Sequence, residues 1–198
     1  MKIYCDNPNY TLWLGEYTPE PEEADIIMFS GGADVNPAMY NQNRHKTTGV
    51  SFARDAKDTE LFESFPHTPK VGICRGSQFL TVMAGGSLVQ DCDNHAMAGT
   101  HEIQFTDGEV MNITSTHHQM MYPFLVSHSI LARAARSTYH KNGEDENMKM
   151  PFDPEIVYYP EINSFCIQGH PEMMREGKLH KKLKFMIKQY LCLMLEIE

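Results

Sequence analysis

The segment Val-Gly-Ile-Cys-Arg-Gly-Ser-Gln (residues 71–78) constrains the fold more than any other part of the chain. Gly72 and Gly76 stand two residues before and after Cys74, the spacing of a sharp strand-to-helix turn that exposes one side chain. A thiol there lies at a helix N-terminus, whose dipole favours the thiolate. The backbone N–H of Arg75 can donate to a developing oxyanion. The alternative is a structural cysteine, because cysteines are among the most often buried residues.

Alternating apolar runs predict an α/β domain with a mainly parallel sheet. Residues 87–137 predict short strands broken by turns, and the polar residues 142–147 predict an exposed loop. No domain boundary is evident, so residues 1–198 are expected to form a single domain. The main strands are expected at residues 2–5, 25–29, 71–74, 156–159 and 165–168, and helices near 53–65, 76–84 and 174–195.

Two further segments carry candidate chemistry. In Phe-Cys-Ile-Gln-Gly-His-Pro-Glu (residues 165–172), a predicted strand ends at His170, and Glu172 follows two residues later. A cysteine nucleophile needs a base within hydrogen-bond reach, and the base needs an orienting acceptor. Gly31 and Gly32 follow another predicted strand, where their backbone N–H groups can approach a ligand. The alternatives are a strand-end histidine that bonds only to backbone and an ordinary turn at the glycine pair.

Five motifs occur in order along the chain: Gly-Gly-x-Asp-Val-x-Pro-x-x-Tyr (31–40), Gly-Ile-Cys-Arg-Gly-x-Gln (72–78), Gly-Gly-Ser-Leu-x-Gln-Asp (85–91), His-His-Gln (117–119) and Gln-x-His-Pro-Glu (168–172). Together they resemble the class I glutamine amidotransferase-like superfamily, and within it the γ-glutamyl hydrolase branch that includes the γ-glutamyl-γ-aminobutyrate hydrolases. Each motif alone is weak, but the ordered set is specific. The resemblance implies a flavodoxin-like three-layer α/β sandwich, with helices on both faces of the sheet and Cys74 at its carboxyl edge.

The resemblance also implies roles for individual residues. Cys74 would be the nucleophile, His170 the general base and then acid, and Glu172 the residue that orients His170. The backbone N–H groups of Gly32 and Arg75 would form the oxyanion hole. The glutamyl group would be held by Gly31, Gln78, His118 and Gln119. Arg54, Asp55 and Glu60 match a further pattern of this branch, with a structural role or a place at the pocket rim.

The chain departs from the family pattern in three places. The unit before the glycine pair is abbreviated, since Trp13, Pro19 and Pro21 leave no room for a long helix. Gly169 replaces an aromatic residue, which predicts a roomier site, and a polar insertion occupies residues 141–149. These departures bear on the substrate more than on the chemistry.

Composition excludes several classes of function. A net charge of −9 argues against a nucleic-acid surface, because the phosphate backbone favours clustered Lys and Arg. No run approaches the roughly 18 apolar residues of a membrane span. The N-terminus has no signal-peptide layout, so a cytoplasmic location is expected. The five scattered cysteines contain no C-x-x-C pair, which suggests free thiols in a reducing compartment.

A zinc cluster is the alternative interpretation of the histidine-rich middle of the chain. Cys92, His95, His101, His117 and His118 offer ligands that suit zinc, but their spacing fits no standard zinc signature. We therefore expect neither a metal nor another cofactor.

The expected reaction is hydrolysis of a γ-glutamyl amide in a small molecule, through a thioester on Cys74. One alternative is a glutaminase subunit that passes ammonia from glutamine to a separate synthetase. Another is a non-catalytic binding module on the same fold, and a general peptidase is a further one. A synthetase partner and a homodimer both stay open as assemblies.

Overall fold

A computed structural model describes residues 1–135, 140–141 and 150–191, with backbone alone for residues 97, 98, 140 and 141. The strands of this part are β1 (Lys2–Tyr4), β2 (Glu16–Tyr17), β3 (Ile26–Phe29), β4 (Lys70–Ile73), β5 (Ser87–Val89), β6 (Asp91–Cys92), β7 (Ala96–Phe105), β8 (Val110–Thr116), β9 (Met120–Tyr122), β10 (Ser129–Ala134), β11 (His140–Lys141), β12 (Pro154–Tyr159) and β13 (Ser164–Ile167). The α-helices are α1 (Phe52–Ser64), α2 (Arg75–Met83) and α3 (Lys178–Tyr190).

A nine-stranded sheet forms the centre of the molecule, in the order β2-β1-β3-β4-β13-β12-β10-β7-β8. The strands from β2 to β13 are parallel, and each pairing from β13 onward is antiparallel. The sheet is therefore more mixed than the mainly parallel sheet predicted from the sequence. Short connections, such as residues 160–163 between β12 and β13, explain the difference, since a parallel pair needs a crossover of about a dozen residues. Two small antiparallel sheets, β5 with β9 and β6 with β11, accompany it.

Alternate residues of the parallel strands pack into two separate cores. On β3, Ile26 and Met28 belong to a cluster that contains the apolar face of α3. Ile27 and Phe29 belong to the opposite cluster, which contains Phe79 of α2 and partly buried residues of α1. Because successive side chains of a strand point to opposite faces, helices cover both faces of the sheet. The predicted three-layer α/β architecture is confirmed.

Several boundaries differ from the sequence prediction. The terminal helix begins at Lys178 and not at residue 174, because Pro171–Met173 forms a separate 3₁₀ turn and Gly177 is extended. The middle of the chain was expected to hold only short strands, but β7 has 10 residues and β8 has 7. The predicted loop at 142–147, most of the insertion at 141–149, and Cys192 lie outside the described residues.

The expectation that no long helix precedes the glycine pair is confirmed. Between β1 and β3, the chain forms only the short strand β2 and the 3₁₀ turns Pro8–Tyr10 and Pro21–Glu23. Within the described residues, no helix combines the length and the apolar character needed to cross a membrane.

Helix α2 approaches the sheet closely at two glycines. A Cβ on Gly76 would lie 1.9 Å from the carbonyl oxygen of Phe29 on β3. A Cβ on Gly72 would lie 2.6 Å from the backbone nitrogen of Ser77. Only glycine fits either position, which explains the Gly-x-Cys-x-Gly spacing of the sequence.

Gly76→Ala is expected to lower the free energy of unfolding by more than about 3 kcal/mol, because the clashing atom belongs to backbone and cannot rotate away. Urea denaturation of the purified variant measures the loss. Gly99→Ala is the matched control, since a Cβ there meets no atom within 4 Å, and it should change stability by less than about 1 kcal/mol. Wild-type stability in Gly76→Ala would contradict the close approach of α2.

Candidate active site

Cys74 occupies a strained turn between β4 and α2, with φ 50° and ψ −109°. A non-glycine residue in this region stores strain and is typical of functional sites. Its backbone N–H donates to the carbonyl of Ile167 on the neighbouring strand (2.8 Å), and its own carbonyl accepts from the N–H groups of Ser77 and Gln78 (3.0 and 3.1 Å). The thiol is partly exposed at the N-terminus of α2, where the helix dipole favours an anion.

His170 lies beside this thiol because β13 runs parallel to β4. Ile167 pairs with Ile73, so the residues that follow each strand emerge at the same edge of the sheet. The side chains of His170 and Cys74 both lie against Gly31, and interaction with Cys74 helps to raise the pKa of His170. Its Nδ1 lies 2.6 Å from Glu172 Oε1. The structure thus brings together the three side chains of the expected triad.

Two neighbours determine the charge of the His170 ring. Burial alone would lower its pKa, but the hydrogen bonds and charges of Cys74 and Glu172 outweigh burial and raise the pKa of His170 to about 10. An imidazolium at neutral pH stabilises a thiolate next to it. The arrangement therefore favours a protonated His170 ring at neutral pH.

The glycine pair lies directly against this pair of side chains. A Cβ on Gly31 would lie 2.9 Å from His170 Cε1 and 3.7 Å from Cys74 Cβ. Gly32 has φ +147°, a conformation that side chains rarely adopt. Arg75 is the first residue of α2, so its backbone N–H has no acceptor within the helix. Gly31 thus lies against the side chains of Cys74 and His170, Gly32 follows it in the chain, and Arg75 follows Cys74.

The Arg75 side chain forms ion pairs with residues of α1 and not with the Cys74 thiol. Its guanidinium is buried and pairs with Asp55 and Asp58 of α1, while its Nε donates to the carbonyl of Ala33 (3.2 Å). The positive charge of Arg75 is thus balanced by two carboxylates. Arg54 joins the network through Asp58 (2.9 Å). This clamp ties α1 and the loop after β3 to the start of α2.

The predicted glutamyl-binding residues differ in accessibility. Gln78 and Gln119 are both buried, and Gln78 Nε2 donates to the backbone carbonyl of Gln119 (3.0 Å). Gln119 Nε2 donates to Thr48 Oγ1 (3.1 Å), while its Oε1 is buried and has no hydrogen-bond partner in the described part of the chain. His118 is one-third exposed and lies 3.2 Å from Asp34. Gln78 and Gln119 therefore lie next to each other and are buried, whereas the His118 side chain is partly exposed to solvent.

The prediction of a roomier site at Gly169 is wrong. A Cβ there would lie 2.6 Å from Ile113 Cγ1 and 2.7 Å from the carbonyl oxygen of Thr114. Strand β8 therefore fills the space that an aromatic side chain would occupy. The pocket gains no volume from this glycine.

Sequence reasoning missed two residues of the site. Asp58 lies one helical turn after Asp55, and this spacing on a helix was the available signal for a second partner of Arg75. Tyr10 comes from the abbreviated N-terminal unit, and its ring centroid is 6.1 Å from that of His170. Burial raises the pKa of Tyr10 to about 12, and the charge of Glu172 adds to the increase. No motif in the sequence marks Tyr10.

Comparison with known proteins identifies the family. The model of the peptidase C26 family matches residues 21–143. The chain belongs to the peptidase C26 family. This match ends before His170 and Glu172, so the position of these two residues rests on the geometry described above.

Relatives of this C26 chain include proteins named as glutamine amidotransferase-like. Protein NtpR of Enterococcus hirae is 27% identical over 177 residues, which cover 77% of this chain and 68% of NtpR. The glutamine amidotransferase-like protein YvdE homolog of Lactococcus lactis is 33% identical over 97 residues, covering 48% of this chain and 50% of the homolog. The carbamoyl phosphate synthase small chain of Pseudomonas aeruginosa is 29% identical over 147 residues, covering 74% of this chain but 32% of the relative.

Solved structures share the fold. A protein described as a GMP synthase subunit from Thermoplasma acidophilum superposes with a TM-score of 0.65 at 14% identity, over 97% of this chain and 94% of the other. PurLQS from Thermotoga maritima gives a TM-score of 0.59 at 18% identity, over 96% and 98%. The expected superfamily fold is thereby confirmed.

Cys74 is expected to be the cysteine that reacts first when the native protein meets a thiol electrophile. Burial raises the pKa of Cys5 to about 11 and holds the pKa values of Cys92 and Cys166 well above the usual range, so these thiols stay protonated. Limited treatment with a glutamine-like chloroketone, followed by peptide mass spectrometry, should locate the adduct on Cys74. Modification of Cys92 in protein whose Cys74 is untouched would contradict this assignment.

Proposed function

We propose that this chain hydrolyses a γ-glutamyl amide bond of a small molecule through a thioester on Cys74. The observation that carries the proposal is that Cys74 and His170 meet at one edge of the sheet, both against Gly31, with Glu172 2.6 Å from His170 Nδ1. A cysteine, a base and an orienting carboxylate in this order are the parts that thiol acyl transfer needs. Membership of the peptidase C26 family supports the same reaction class.

In the first half of the reaction, the Cys74 thiolate attacks the γ-carbonyl carbon, and the carbonyl π electrons move to oxygen. Backbone N–H groups of Gly32 and Arg75 donate to this oxyanion. The tetrahedral species collapses as the C–N bond breaks, and His170 gives its proton to the departing amine. Glutamyl thioester and free amine result.

In the second half, neutral His170 removes a proton from water as the water attacks the thioester carbonyl. The C–S bond breaks, glutamate leaves, and the proton on His170 restores the thiolate–imidazolium pair. Glu172 accepts a hydrogen bond from His170 throughout and holds the ring orientation. Neither half of the reaction changes an oxidation state, so no redox partner is needed.

Recognition of the glutamyl end is assigned to Gly31, Gln78, His118 and Gln119. A charged amino acid head group buried without partners would cost several kcal/mol, so the pocket must supply hydrogen bonds. Gln119 Oε1, which has no partner among the residues that the structure describes, is an acceptor that a substrate ammonium would satisfy. This orphaned atom supports the role of Gln119.

A second function is favoured by the names of the relatives. Three of them are small chains of carbamoyl phosphate synthase, names that imply a further chain. On this alternative, the same chemistry acts on glutamine, and ammonia passes to a synthetase. The triad geometry is common to both functions, so only the substrate and the effect of a partner separate them.

The roles of His170 and Glu172 predict different kinetic losses. His170→Asn should lower kcat by about four to six orders of magnitude, whereas Glu172→Gln should cost less because it removes only an orienting acceptor. The hydrogen bond and charge of Glu172 help to raise the pKa of His170 to about 10, so their loss lowers that pKa. Because His170 must be protonated to expel the amine, the alkaline limb of kcat/KM should lie near pH 10 in the wild type and at lower pH in Glu172→Gln.

Steady-state glutamate release as a function of pH checks both statements. Glu176→Gln is the matched control, since Glu176 is exposed and its ion pair with Lys184 is long (3.9 Å) and lies on the surface. This variant should leave kcat and the alkaline limb of kcat/KM unchanged. A greater loss in Glu172→Gln than in His170→Asn would show that the two roles are reversed.

The substrate preference is predicted from the abbreviated N-terminal unit, which places Tyr10 beside Gly31 and His170. An amine larger than ammonia can contact this ring, and remote contacts can be converted into transition-state stabilisation. We expect kcat/KM for N-substituted γ-glutamyl amides to exceed that for glutamine. Tyr10→Ala should reduce the ratio, while Tyr17→Ala on the edge strand β2 should not. Efficient glutamine hydrolysis that appears only after a synthetase is added would favour the ammonia-donating alternative.

A further inference from the structure

A second cluster of titratable side chains lies away from the triad. His95 precedes β7, His101 lies within β7, His117 follows β8, and Glu155 lies on β12. One ligand atom from each of these four residues lies within 4.8 Å of all the others. The cluster differs from the set considered in the sequence, because Cys92 is absent from it and His118 turns to Asp34.

Five buried side-chain atoms of these four residues lack a hydrogen bond of normal geometry to any described residue. They are His95 Nδ1, His101 Nε2, His117 Nε2 and both carboxylate oxygens of Glu155. Three of the four residues are at least 98% buried, and Glu155 is fully buried. A buried carboxylate surrounded by ring nitrogens is costly unless a positive charge balances it, so the arrangement calls for a positive occupant.

Distances within the cluster match those around a small metal ion. Glu155 Oε1 lies 3.5 Å from His95 Nδ1, 3.1 Å from His101 Nε2 and 3.8 Å from His117 Nε2. Tetrahedral zinc, with bonds of about 2.0–2.2 Å to nitrogen and oxygen, separates its ligand atoms by about 3.4 Å. The contacts are thus of the length that shared coordination requires.

The other ring nitrogens of two histidines are held by acceptors. His95 Nε2 lies 3.0 Å from Asp153 Oδ2, and His117 Nδ1 lies 2.9 Å from the carbonyl oxygen of Gln119. A carbonyl oxygen only accepts, so His117 Nδ1 carries the proton and a neutral ring directs its Nε2 lone pair into the cluster. Metal-bound histidines typically have this outer partner, which fixes the tautomer and raises ligand basicity.

We propose that His95, His101, His117 and Glu155 form a structural zinc site. Three imidazoles and one carboxylate complete four-coordination and leave no open position, which separates this site from a catalytic zinc centre. The ion would join β7, β8 and β12, strands that are not all neighbours in the sheet. Its role is stabilisation of the antiparallel half, independent of whether the Cys74 chemistry is that proposed above.

The competing occupant is a proton. Burial lowers the pKa of His101, but its contact with Glu155 outweighs burial and raises the pKa overall, so an imidazolium could balance the carboxylate without a metal. Metal content, spectroscopy and thermal stability distinguish the two occupants without any measurement of activity.

The first experiment uses the wild-type chain without an affinity tag. Protein purified from zinc-supplemented medium should contain about one zinc per chain by inductively coupled plasma mass spectrometry. After removal of metal by a chelator, zinc at a hundredfold excess over Kd should raise Tm by about 5–10 °C. Cobalt should give the visible absorption bands of a four-coordinate ion. Absence of stoichiometric metal, together with no Tm response to zinc, cobalt, nickel, iron(II) or manganese, would establish the proton and overturn the proposal.

Variants locate the site. His101→Ala removes the least buried ligand and should abolish both the zinc content and the Tm response, whereas His67→Ala, which removes an exposed histidine, should retain them. Asp153→Asn should weaken zinc binding by about 10- to 100-fold, because Asp153 orients His95 and does not bind the ion. Equal zinc binding by His101→Ala and wild type would place the ion elsewhere and refute the site. If His101→Ala fails to fold, the wild-type titration and cobalt spectrum decide the question.

Discussion

The parallel pairing of β4 with β13 is the constraint on which the candidate site depends. These strands are far apart in the sequence, yet Ile73 pairs with Ile167, and the N–H of Cys74 continues the ladder to the Ile167 carbonyl. Cys74 and His170 therefore leave the sheet at the same edge. A shift of one residue in this register would reverse the face of every side chain and separate the thiol from the imidazole.

Buried ion pairs of Arg75 with Asp55 and Asp58 hold the backbone at that edge of the sheet. The Arg75 guanidinium is fully enclosed between Asp55 and Asp58, and its Nε bonds to Ala33 in the loop that carries the glycine pair. Removing one carboxylate of such a network leaves an uncompensated buried charge, which costs about 3–5 kcal/mol. The same residue thus supplies a backbone N–H beside Cys74 and a side chain that anchors the loop after β3. The ion pairs of Arg75 thus hold the backbone around Cys74 in place, although the Arg75 side chain takes no part in the proposed reaction.

Local sterics and apolar periodicity made much of the fold and of the candidate site predictable from the sequence. Gly72 and Gly76 predicted the strained turn, because no other residue allows α2 to lie so close to the sheet. The prediction for Gly169 failed because the space beside it is filled by β8, more than fifty residues earlier in the chain. Tyr10 and Glu155 were missed for the same reason, since each reaches its cluster only through long-range packing or strand order. The antiparallel pairings likewise depend on strand order, which local patterns do not encode.

The two polar centres of the molecule are mechanically connected through the antiparallel strands. Thr114 on β8 accepts a hydrogen bond from the N–H of His170 (2.6 Å), so the hairpin of β7 and β8 that carries clustered histidines also fixes the backbone of the candidate base. The carbonyl of Glu155 accepts from the N–H of Gln168, two residues before His170 (2.8 Å). An occupant of the histidine cluster would therefore act on the position of His170 through backbone contacts, without touching the substrate. The parallel pairing of β4 with β13 brings the thiol and the base to the same edge, and the antiparallel strands then fix the backbone beside the base.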